Sequence, residues 1–264
     1  MSFAVAGNAY DALVGRWSRP LAPLFADFAG VVAAPGPAGV VSGGPGPALD
    51  VGCGPGALTS LLAARLGPAA VAAVDPSPPF AAACRERVPG ADVREAPAER
   101  LPFGDGAFGA ALSQLVLSFV GDPAAAAAEM RRVVRTGGVV AACTWAWDGF
   151  DMARVFWDAA LAVDPAAPDD AGLPFRREGE LEALLRGAGL RGVEAAEIPI
   201  EVTYSGFDDY WGPFAGGVGP PGGWLVRQPP DRQEAVRRAC VERLGRPAGA
   251  FTLRARALAV RGRA

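Results

Sequence analysis

Three glycines at alternate positions follow an acidic residue, a pattern through which the backbone itself can bind a ligand. The stretch ALDVGCGPGALTSLL, residues 48–62, places Gly52, Gly54 and Gly56 between an apolar run and leucines at helical spacing. This order predicts a strand, a tight turn and a helix. Glycines let such a turn bring its N–H groups against a ligand with no Cβ in the way. A purely structural turn would explain one glycine, whereas three behind Asp50 favour a binding site.

The acidic residues around this turn indicate what kind of ligand it would bind. Dinucleotide enzymes place a GxGxxG turn under a pyrophosphate. Here the spacing is GxGxG, with Asp50 two residues before Gly52. A carboxylate at this point would repel a pyrophosphate and suit an ammonium group, so we expect a zwitterionic ligand. Asp75 ends the next apolar run, where an acid can accept both hydroxyls of a ribose; its alternative role is to cap the following helix.

Composition limits the classes of protein to which the chain can belong. Its 264 residues are 51% hydrophobic and 20% charged, which is typical of a globular protein. A net charge of -3 provides no positive field for nucleic acid or an anionic membrane. The absence of histidine removes the commonest general base and metal ligand.

Cysteine spacing and hydropathy add two expectations. The four cysteines are far apart and show no CxxC pair, so we expect reduced thiols and no metal site. They are Cys53, Cys84, Cys143 and Cys240. No run approaches the ~18 apolar residues of a membrane span. We therefore expect a cytoplasmic protein that acts as a monomer or homodimer on a small molecule, without nucleic acid or membrane partners.

Short apolar segments alternate with helical patterns along one domain, residues 1–264, and predict a parallel sheet covered on both faces. The predicted strands are residues 47–51, 71–75, 91–96, 108–115, 138–145, 193–204 and 250–260. The predicted helices between them are residues 58–67, 78–88, 124–135 and 181–188. Asp122 is expected to cap the third of these helices and Gly137 to end it.

Three further segments complete this organisation. Residues 1–33 have helical spacing interrupted at Pro20 and Pro23, and residues 34–47 are a linker rich in proline and glycine. Residues 205–249, rich in glycine, proline and aromatics, form an insertion between the last two strands.

Several motifs together resemble the class I S-adenosylmethionine-dependent methyltransferases. DVGCGPGALT is similar to their first motif and Asp75 to their ribose-binding acid. AERLPFGDGAF and RRVVRTGGVV are similar to the regions before strands four and five. The flanks resemble a bacterial small-molecule branch, with residues 10–31 as a lid helix and residues 207–220 as a cap. The resemblance implies an α/β, Rossmann-like, doubly wound sheet of seven strands, mostly parallel, with an antiparallel last strand inserted beside strand five.

The same resemblance implies the activity. S-adenosylmethionine would be the cofactor and methyl donor, and a small aromatic or apolar product of secondary metabolism the acceptor. One alternative is an enzyme that uses the same cofactor for another reaction, such as cyclisation. A second is an NAD-type oxidoreductase or a non-catalytic nucleotide-binding module, although GxGxG with Asp50 disfavours the oxidoreductase.

The resemblance also assigns roles to individual residues. Those expected at the cofactor are Tyr10, Arg16, Asp50, Gly52, Cys53, Gly54, Gly56, Asp75, Pro76, Phe80, Ala98, Glu99, Gln114 and Leu115. Gln114 and Leu115 would stand between cofactor and substrate. Pro97 and Ser118 depart from the family, which often has an acid at the first position and a histidine at the second.

Aromatic residues in segments expected near the carboxyl edge of the sheet predict a flat, apolar substrate site. Those assigned to the substrate are Trp17, Trp145, Trp147, Trp157, Trp211 and Phe214. A base is needed only if the nucleophile arrives protonated. Without histidine, the candidates are Tyr10 and Tyr210 first, then Tyr204, Asp148 and Asp151.

Overall fold

Seven strands form one mixed sheet in a computed structural model that describes residues 11–32 and 46–264. The strands are β1 (Ala48–Val51), β2 (Val71–Asp75), β3 (Asp92–Glu95), β4 (Phe108–Gln114), β5 (Val134–Phe150), β6 (Arg191–Tyr204) and β7 (Phe251–Arg263). Their order is β3-β2-β1-β4-β5-β7-β6. Only β7 in this sheet runs antiparallel to its neighbours, β5 and β6. The predicted α/β sheet, including its last strand inserted beside strand five, is therefore confirmed.

Helices cover both faces of this sheet. They are α1 (Arg16–Phe28), α2 (Ala57–Leu66), α3 (Pro78–Arg87), α4 (Pro123–Val133), α5 (Asp151–Val163), α6 (Glu180–Gly187), α7 (Phe207–Ala215), α8 (Gly219–Leu225) and α9 (Pro230–Arg243). One apolar core lies beneath α1, α2, α5 and α7 to α9, and a second beneath α4 and α6. Every residue of β1, β2 and β4 is buried, as expected for strands covered on both sides.

The first helix does not stop at its prolines, contrary to prediction. Helix α1 runs through Pro20 and Pro23 because one of its faces is deeply buried. Trp17, Leu21 and Phe25 are each 0% exposed and pack into the core on the α1 side. Burial of three large side chains thus outweighs the backbone hydrogen bonds that the two prolines cannot make.

The predicted end of α4 is also corrected. The side chain of Asp122 accepts the N–H of Ala125 at 2.9 Å, so the predicted cap is confirmed. The helix ends at Val133, however, and Gly137 lies inside β5. Its N–H donates to the carbonyl of Ala264 at 2.9 Å, so pairing with the chain's last residues extends the strand.

The insertion and helix α5 complete the described fold. The insertion of residues 205–249 contains α7, α8 and α9. Helix α5 was not among the predicted elements. Residues 1–10 and most of the predicted linker, residues 34–45, lie outside the described residues. Within the described ranges, no helix is long and apolar enough to cross a bilayer.

We expect Trp17→Ala to lower the free energy of unfolding by about 3–5 kcal/mol, because it empties a fully buried aromatic site. Leu24→Ala is the matched control on the same helix, since Leu24 is 44% exposed. It should change stability by about 0.5 kcal/mol or less. Urea denaturation measures both, and equal losses would contradict the placement of α1 in the core.

Candidate active site

A cavity of about 410 Å³ lies where β1, β2 and β4 end, with α1 along one side. In open α/β sheets this edge is where ligands bind. Of the residues predicted to bind a cofactor, the lining includes Asp50, Gly52, Cys53, Gly54, Asp75, Pro76, Phe80, Ala98, Glu99, Gln114 and Leu115. The fold thus brings eleven residues from separate motifs to one site.

The same cavity contains residues that sequence reasoning did not assign. They are Val14, Ser18, Pro55, Ala57, Leu58, Ser77, Pro97, Val116, Phe119, Val120 and Gly121. Their types carry no chemical signal, and the segments after β4 and before α1 have no binding motif of their own. Proximity to the glycine turn was the only cue for those beside it.

The N–H groups of the glycine turn are bonded within the protein rather than left for a ligand. Those of Gly52 and Cys53 both donate to the carbonyl of Val74, at 2.8 and 2.9 Å. The N–H of Gly54 donates to Oδ2 of Asp75 at 2.8 Å. The expectation that these groups would face the ligand is therefore corrected: they hold the turn against β2.

Glycine is required here by backbone conformation and by space. Gly52 has φ +78°, and a Cβ there would lie 2.4 Å from Cγ2 of Val116. Gly54 has φ +52°, but a Cβ there would meet no atom of the described residues within 4 Å. Gly54 lines the cavity, so its missing side chain leaves room for a ligand. Gly56, in contrast, is absent from the lining, and its Cβ would lie 2.9 Å from Sγ of Cys84.

Asp50 is a buried acid at the floor of the cavity. It is 1% exposed, and its Oδ2 accepts a hydrogen bond from the Thr59 hydroxyl at 2.6 Å. Burial raises the pKa of Asp50 to about 7, and the nearby charge of Asp75 acts in the same direction. A bound cation would offset this cost and favour the carboxylate.

Asp75 is buried as well, with both carboxyl oxygens in use. Oδ2 accepts the N–H of Gly54, and Oδ1 accepts the N–H of Ser77 at 2.9 Å. Burial raises the pKa of Asp75, while these two bonds act to lower it. Each carboxylate oxygen has a second lone pair, so hydroxyl donors could still bind where Asp75 lines the cavity.

Gln114 ends β4 and joins it to α1. Its Nε2 donates to the carbonyl of Ser18 at 3.0 Å, whereas its buried Oε1 has no hydrogen-bond partner among the described residues. The next residue, Leu115, has φ +65°, a left-handed conformation that is strained for a branched side chain. Both residues line the cavity.

The family model described as a methyltransferase domain matches residues 49–142, which span the glycine turn and strands β2 to β4. Residues 49–142 are therefore similar to a methyltransferase domain. S-adenosylmethionine is the cofactor expected for a domain of this kind. An uncharacterized protein from Mycobacterium tuberculosis is 33% identical over 136 residues, which cover 48% of this chain and 46% of that protein. The chain thus matches about half the length of that relative.

Solved structures share the methyltransferase fold. The YcgJ protein from Bacillus subtilis superposes with a TM-score of 0.57 at 15% identity, covering 92% of this chain and 97% of that one. A phosphoethanolamine N-methyltransferase from Haemonchus contortus, solved with S-adenosylhomocysteine, has a TM-score of 0.58 at 14% identity, covering 97% and 56%. The SpnF cyclase has a TM-score of 0.54 at 17% identity, covering 93% and 81%. At these identities the likeness concerns the fold.

The residues of the methyltransferase domain fit this cofactor. A buried carboxyl group without an ion pair among the described residues, Asp50, suits an ammonium group. Gly54 lines the cavity and leaves open space where a side chain would stand.

The two positions that depart from the family lie in different surroundings. Pro97 lines the cavity beside Ala98. Ser118 does not: its hydroxyl donates to the carbonyl of Pro174 at 2.8 Å and lies 3.0 Å from the hydroxyl of Thr144. Position 118, where the family often has a histidine, therefore belongs to a structural contact in this chain and not to the cavity wall.

Arg16, although assigned to the cofactor, does not line the cavity. Arg16 forms an ion pair with Asp209 at 2.7 Å and lies 4.7 Å from the centroid of the Tyr204 ring, outside the cavity lining. The hydrogen bond to the Asp209 carboxylate raises the pKa of Arg16. The ion pair joins α1 to the insertion, so the guanidinium is not directed to the cofactor. Tyr10 lies outside the described residues.

The aromatic residues assigned to the substrate do not line the cavity either. Trp17 is fully buried, and its indole N–H donates to the hydroxyl of Tyr204 at 3.1 Å. Trp147 is half-buried beneath the guanidinium of Arg154. The others belong to the core beneath α1 and α5: Trp145, Trp157, Trp211 and Phe214. Large rings without a polar surround gain most by packing on one another, and here they do so around Phe156 and Phe150.

The candidate bases that the structure describes also lie away from the cavity. Tyr210 is fully buried and donates to the carbonyl of Met152 at 3.0 Å, and burial raises its pKa. Burial raises the pKa of Tyr204 to about 12. Asp148 pairs with Arg256, and Asp151 accepts the N–H of Arg254. These four residues therefore hold the fold together rather than face a substrate.

We expect the affinity for S-adenosylhomocysteine to fall as the pH drops below about 7, because the Asp50 carboxylate that suits the ammonium group is then protonated. Asp50→Asn should bind more weakly and lose this pH step. Isothermal titration calorimetry between pH 5.5 and 8.5 measures both effects. An affinity in the wild type that does not vary across this range would contradict the role of Asp50.

The Asp50 carboxyl group should have the opposite effect on stability, which should fall as the pH rises. Its folded pKa lies above the unfolded value, so its stabilising effect is complete below pH 4 and is lost as the pH rises through about 7. Without ligand, Asp50→Asn should therefore be more stable than the wild type at pH 8, by on the order of 2–4 kcal/mol. Urea denaturation at pH 5 and pH 8 tests the sign, since the difference should shrink at the lower pH.

The glycines of the turn should separate stability from binding. Gly52→Ala should cost about 3 kcal/mol of stability, since it adds a clash with Val116 to an unfavourable φ. Gly54→Ala should cost about 1 kcal/mol but weaken S-adenosylhomocysteine binding at least about tenfold, because its methyl group enters the cavity. Gly104→Ala, at an exposed position with no close neighbour, is the control for both measurements.

Proposed function

We propose that the chain transfers a methyl group from S-adenosylmethionine to a small, apolar or aromatic metabolite. The observation that carries this proposal is a single cavity that joins the glycine turn, Asp75 and Gln114 beside α1. A cavity of about 410 Å³ matches the size of small-molecule sites. The net charge of -3 favours a small substrate over nucleic acid or an anionic membrane.

The cavity lining supports an apolar substrate, but through residues other than the aromatic ones that the sequence analysis assigned to the substrate. Val14, Leu115, Val116 and Phe119 surround the end of the cavity nearest α1 and β4. Phe119 is 45% exposed, so its ring is available to a flat ligand at the cavity mouth.

Methyl transfer requires the protein mainly to align the two reacting groups and to exclude water. Methyl transfer from a sulfonium is an in-line displacement in which the positive charge disperses, so orientation and exclusion of water provide most of the acceleration. The described candidate bases lie outside the cavity. We therefore propose a substrate whose nucleophile is already reactive, such as an amine or an acidic hydroxyl, and needs no strong base from those residues.

Calorimetry separates this function from its alternatives. S-adenosylmethionine and S-adenosylhomocysteine should bind with micromolar affinity and NAD should not. Asp75→Ala should remove binding, because it deletes the acid expected to bind the ribose and releases the N–H of Gly54. Asp208→Ala, at a side chain 91% exposed, should bind like the wild type. Failure of both sulfur ligands to bind the wild type would refute the proposal.

A second measurement distinguishes methylation from cyclisation. With a methyl-labelled cofactor and a panel of phenols, indoles and amines, methyl transfer yields S-adenosylhomocysteine and a labelled product in equal amounts. A cyclase would leave the cofactor unchanged while its substrate rearranged.

A further inference from the structure

The third glycine of the turn makes room for a cysteine rather than for a ligand. Gly56 is not part of the cavity lining, and a Cβ there would lie 2.9 Å from Sγ of Cys84 on α3. The N–H of Gly56 donates to the carbonyl of Cys53 at 2.9 Å. The missing side chain thus lets one cysteine reach the turn that carries another.

The two thiols meet beside the cavity. Cys53 and Cys84 belong to one small apolar cluster, and their thiols are hydrogen-bonded to each other. Both are free cysteines. Cys53 lines the cavity and is 7% exposed, whereas Cys84 is 0% exposed. A small solute in the cavity can therefore reach the first sulfur, while the second is shielded.

A chain of hydrogen bonds connects this thiol pair to the buried acid of the cavity. Sγ of Cys84 donates to the Thr59 hydroxyl at 3.5 Å, and that hydroxyl donates to Oδ2 of Asp50 at 2.6 Å. The hydrogen bond with Cys53 lowers the pKa of the Cys84 thiol, and the same bond together with burial raises the pKa of Cys53. One proton shared between two sulfurs eases loss of the first proton, and the thiolate is the form that reacts with oxidants.

The other two cysteines have different surroundings. Cys143 on β5 and Cys240 on α9 are buried in the core on the α1 side, and neither lines the cavity. Burial raises the pKa of both thiols, that of Cys240 to about 12. Buried thiols that stay protonated are inert. Oxidation should therefore select the pair of Cys53 and Cys84.

We propose that Cys53 and Cys84 are a redox modification site, which a peroxide converts into a disulfide that weakens cofactor binding. Cys53 belongs to the glycine turn, and Cys84 lies one helical turn after Phe80, which lines the cavity. Two sulfurs must approach to about 2 Å in a disulfide, so this bond draws two walls of the cavity together. The effect on binding rests on the proposed function, whereas formation of the disulfide does not.

The oxidation takes two steps that balance with hydrogen peroxide as the oxidant. The sulfur of Cys53 attacks one oxygen of the peroxide, the oxygen–oxygen bond breaks, and the thiol proton leaves with the other oxygen as water. Cys53 is then a sulfenic acid. The sulfur of Cys84 attacks it, the sulfur–oxygen bond breaks, and hydroxide leaves with the Cys84 proton as a second water. The two thiols lose two electrons and the peroxide gains them.

Mass spectrometry of the full chain tests the disulfide directly. After treatment of the reduced wild type with a small excess of hydrogen peroxide, the peptides that contain Cys53 and Cys84 should be joined by a bond that dithiothreitol cleaves. Cys84→Ser should form no such bond, because it lacks the second sulfur. Cys240→Ser is the matched control at another buried cysteine and should form the bond like the wild type.

Calorimetry with S-adenosylhomocysteine measures the consequence for the cavity. Peroxide should weaken binding at least about tenfold in the wild type and in Cys240→Ser, and dithiothreitol should restore it. The affinity of Cys84→Ser should be the same before and after peroxide. Thermal melting checks that each variant is folded.

The remaining outcomes separate this inference from the proposed function. A wild type that forms no disulfide, or one between other cysteines, would overturn the modification site. A bond between Cys53 and Cys84 that leaves the affinity unchanged would overturn its effect on the cofactor, as would an equal loss of affinity in Cys84→Ser. If S-adenosylhomocysteine does not bind the reduced wild type, the proposed function fails and the effect on binding fails with it, while the peptide map still decides whether the thiol pair is oxidised.

Discussion

The hydrogen bond from the Gly54 N–H to the Asp75 carboxylate is the contact on which the geometry of the site depends. Together with the two N–H groups that donate to Val74, it fastens the glycine turn to the neighbouring strand. Because the turn is held this way, Gly54 faces open space and α2 begins directly behind it. Asp75 therefore holds the turn in place at the same point where a ligand is expected to bind.

Burial of negative charge is the cost of this arrangement. Asp50 and Asp75 both line the cavity, and the charge of Asp75 adds to burial in raising the pKa of Asp50. Within the protein, the hydroxyl of Thr59 and the N–H groups of Gly54 and Ser77 donate hydrogen bonds to these two carboxyl groups. A cationic ligand supplies the positive charge that these neutral donors lack, so the electrostatics of the site favour a positively charged ligand.

Helix α1 belongs to the framework of the site rather than to a loose cover. Trp17 is buried against Tyr204, Arg16 pairs with Asp209, and the carbonyl of Ser18 accepts the amide of Gln114. These contacts join α1 to β6, to the insertion and to β4. The wall of the cavity beside α1 is therefore held to the sheet and to the insertion by side-chain contacts.

Local sequence patterns were sufficient to predict the backbone framework and the residues around the glycine turn of the cavity. Asp50, the glycines and Asp75 occupy strand ends and turns whose conformation depends on a few neighbouring residues, so their spacing predicted both the fold and their meeting at one edge. The aromatic residues were different. Their hydrophobicity suits either a pocket or a core, and only the packing of Phe156 against Trp211 and Phe214 decides for the core.

What the sequence determined by itself was thus the alternation of strands and helices and the polar residues at the strand ends, because both follow from short-range spacing. Tertiary structure alone decided that α1 passes through two prolines, that Arg16 pairs with Asp209, and that one oxygen of Gln114 has no partner among the described residues. Each of these outcomes depends on partners distant along the chain. The physical reason is that burial and hydrogen bonding to such partners outweigh local preference, and spacing along the chain does not record them.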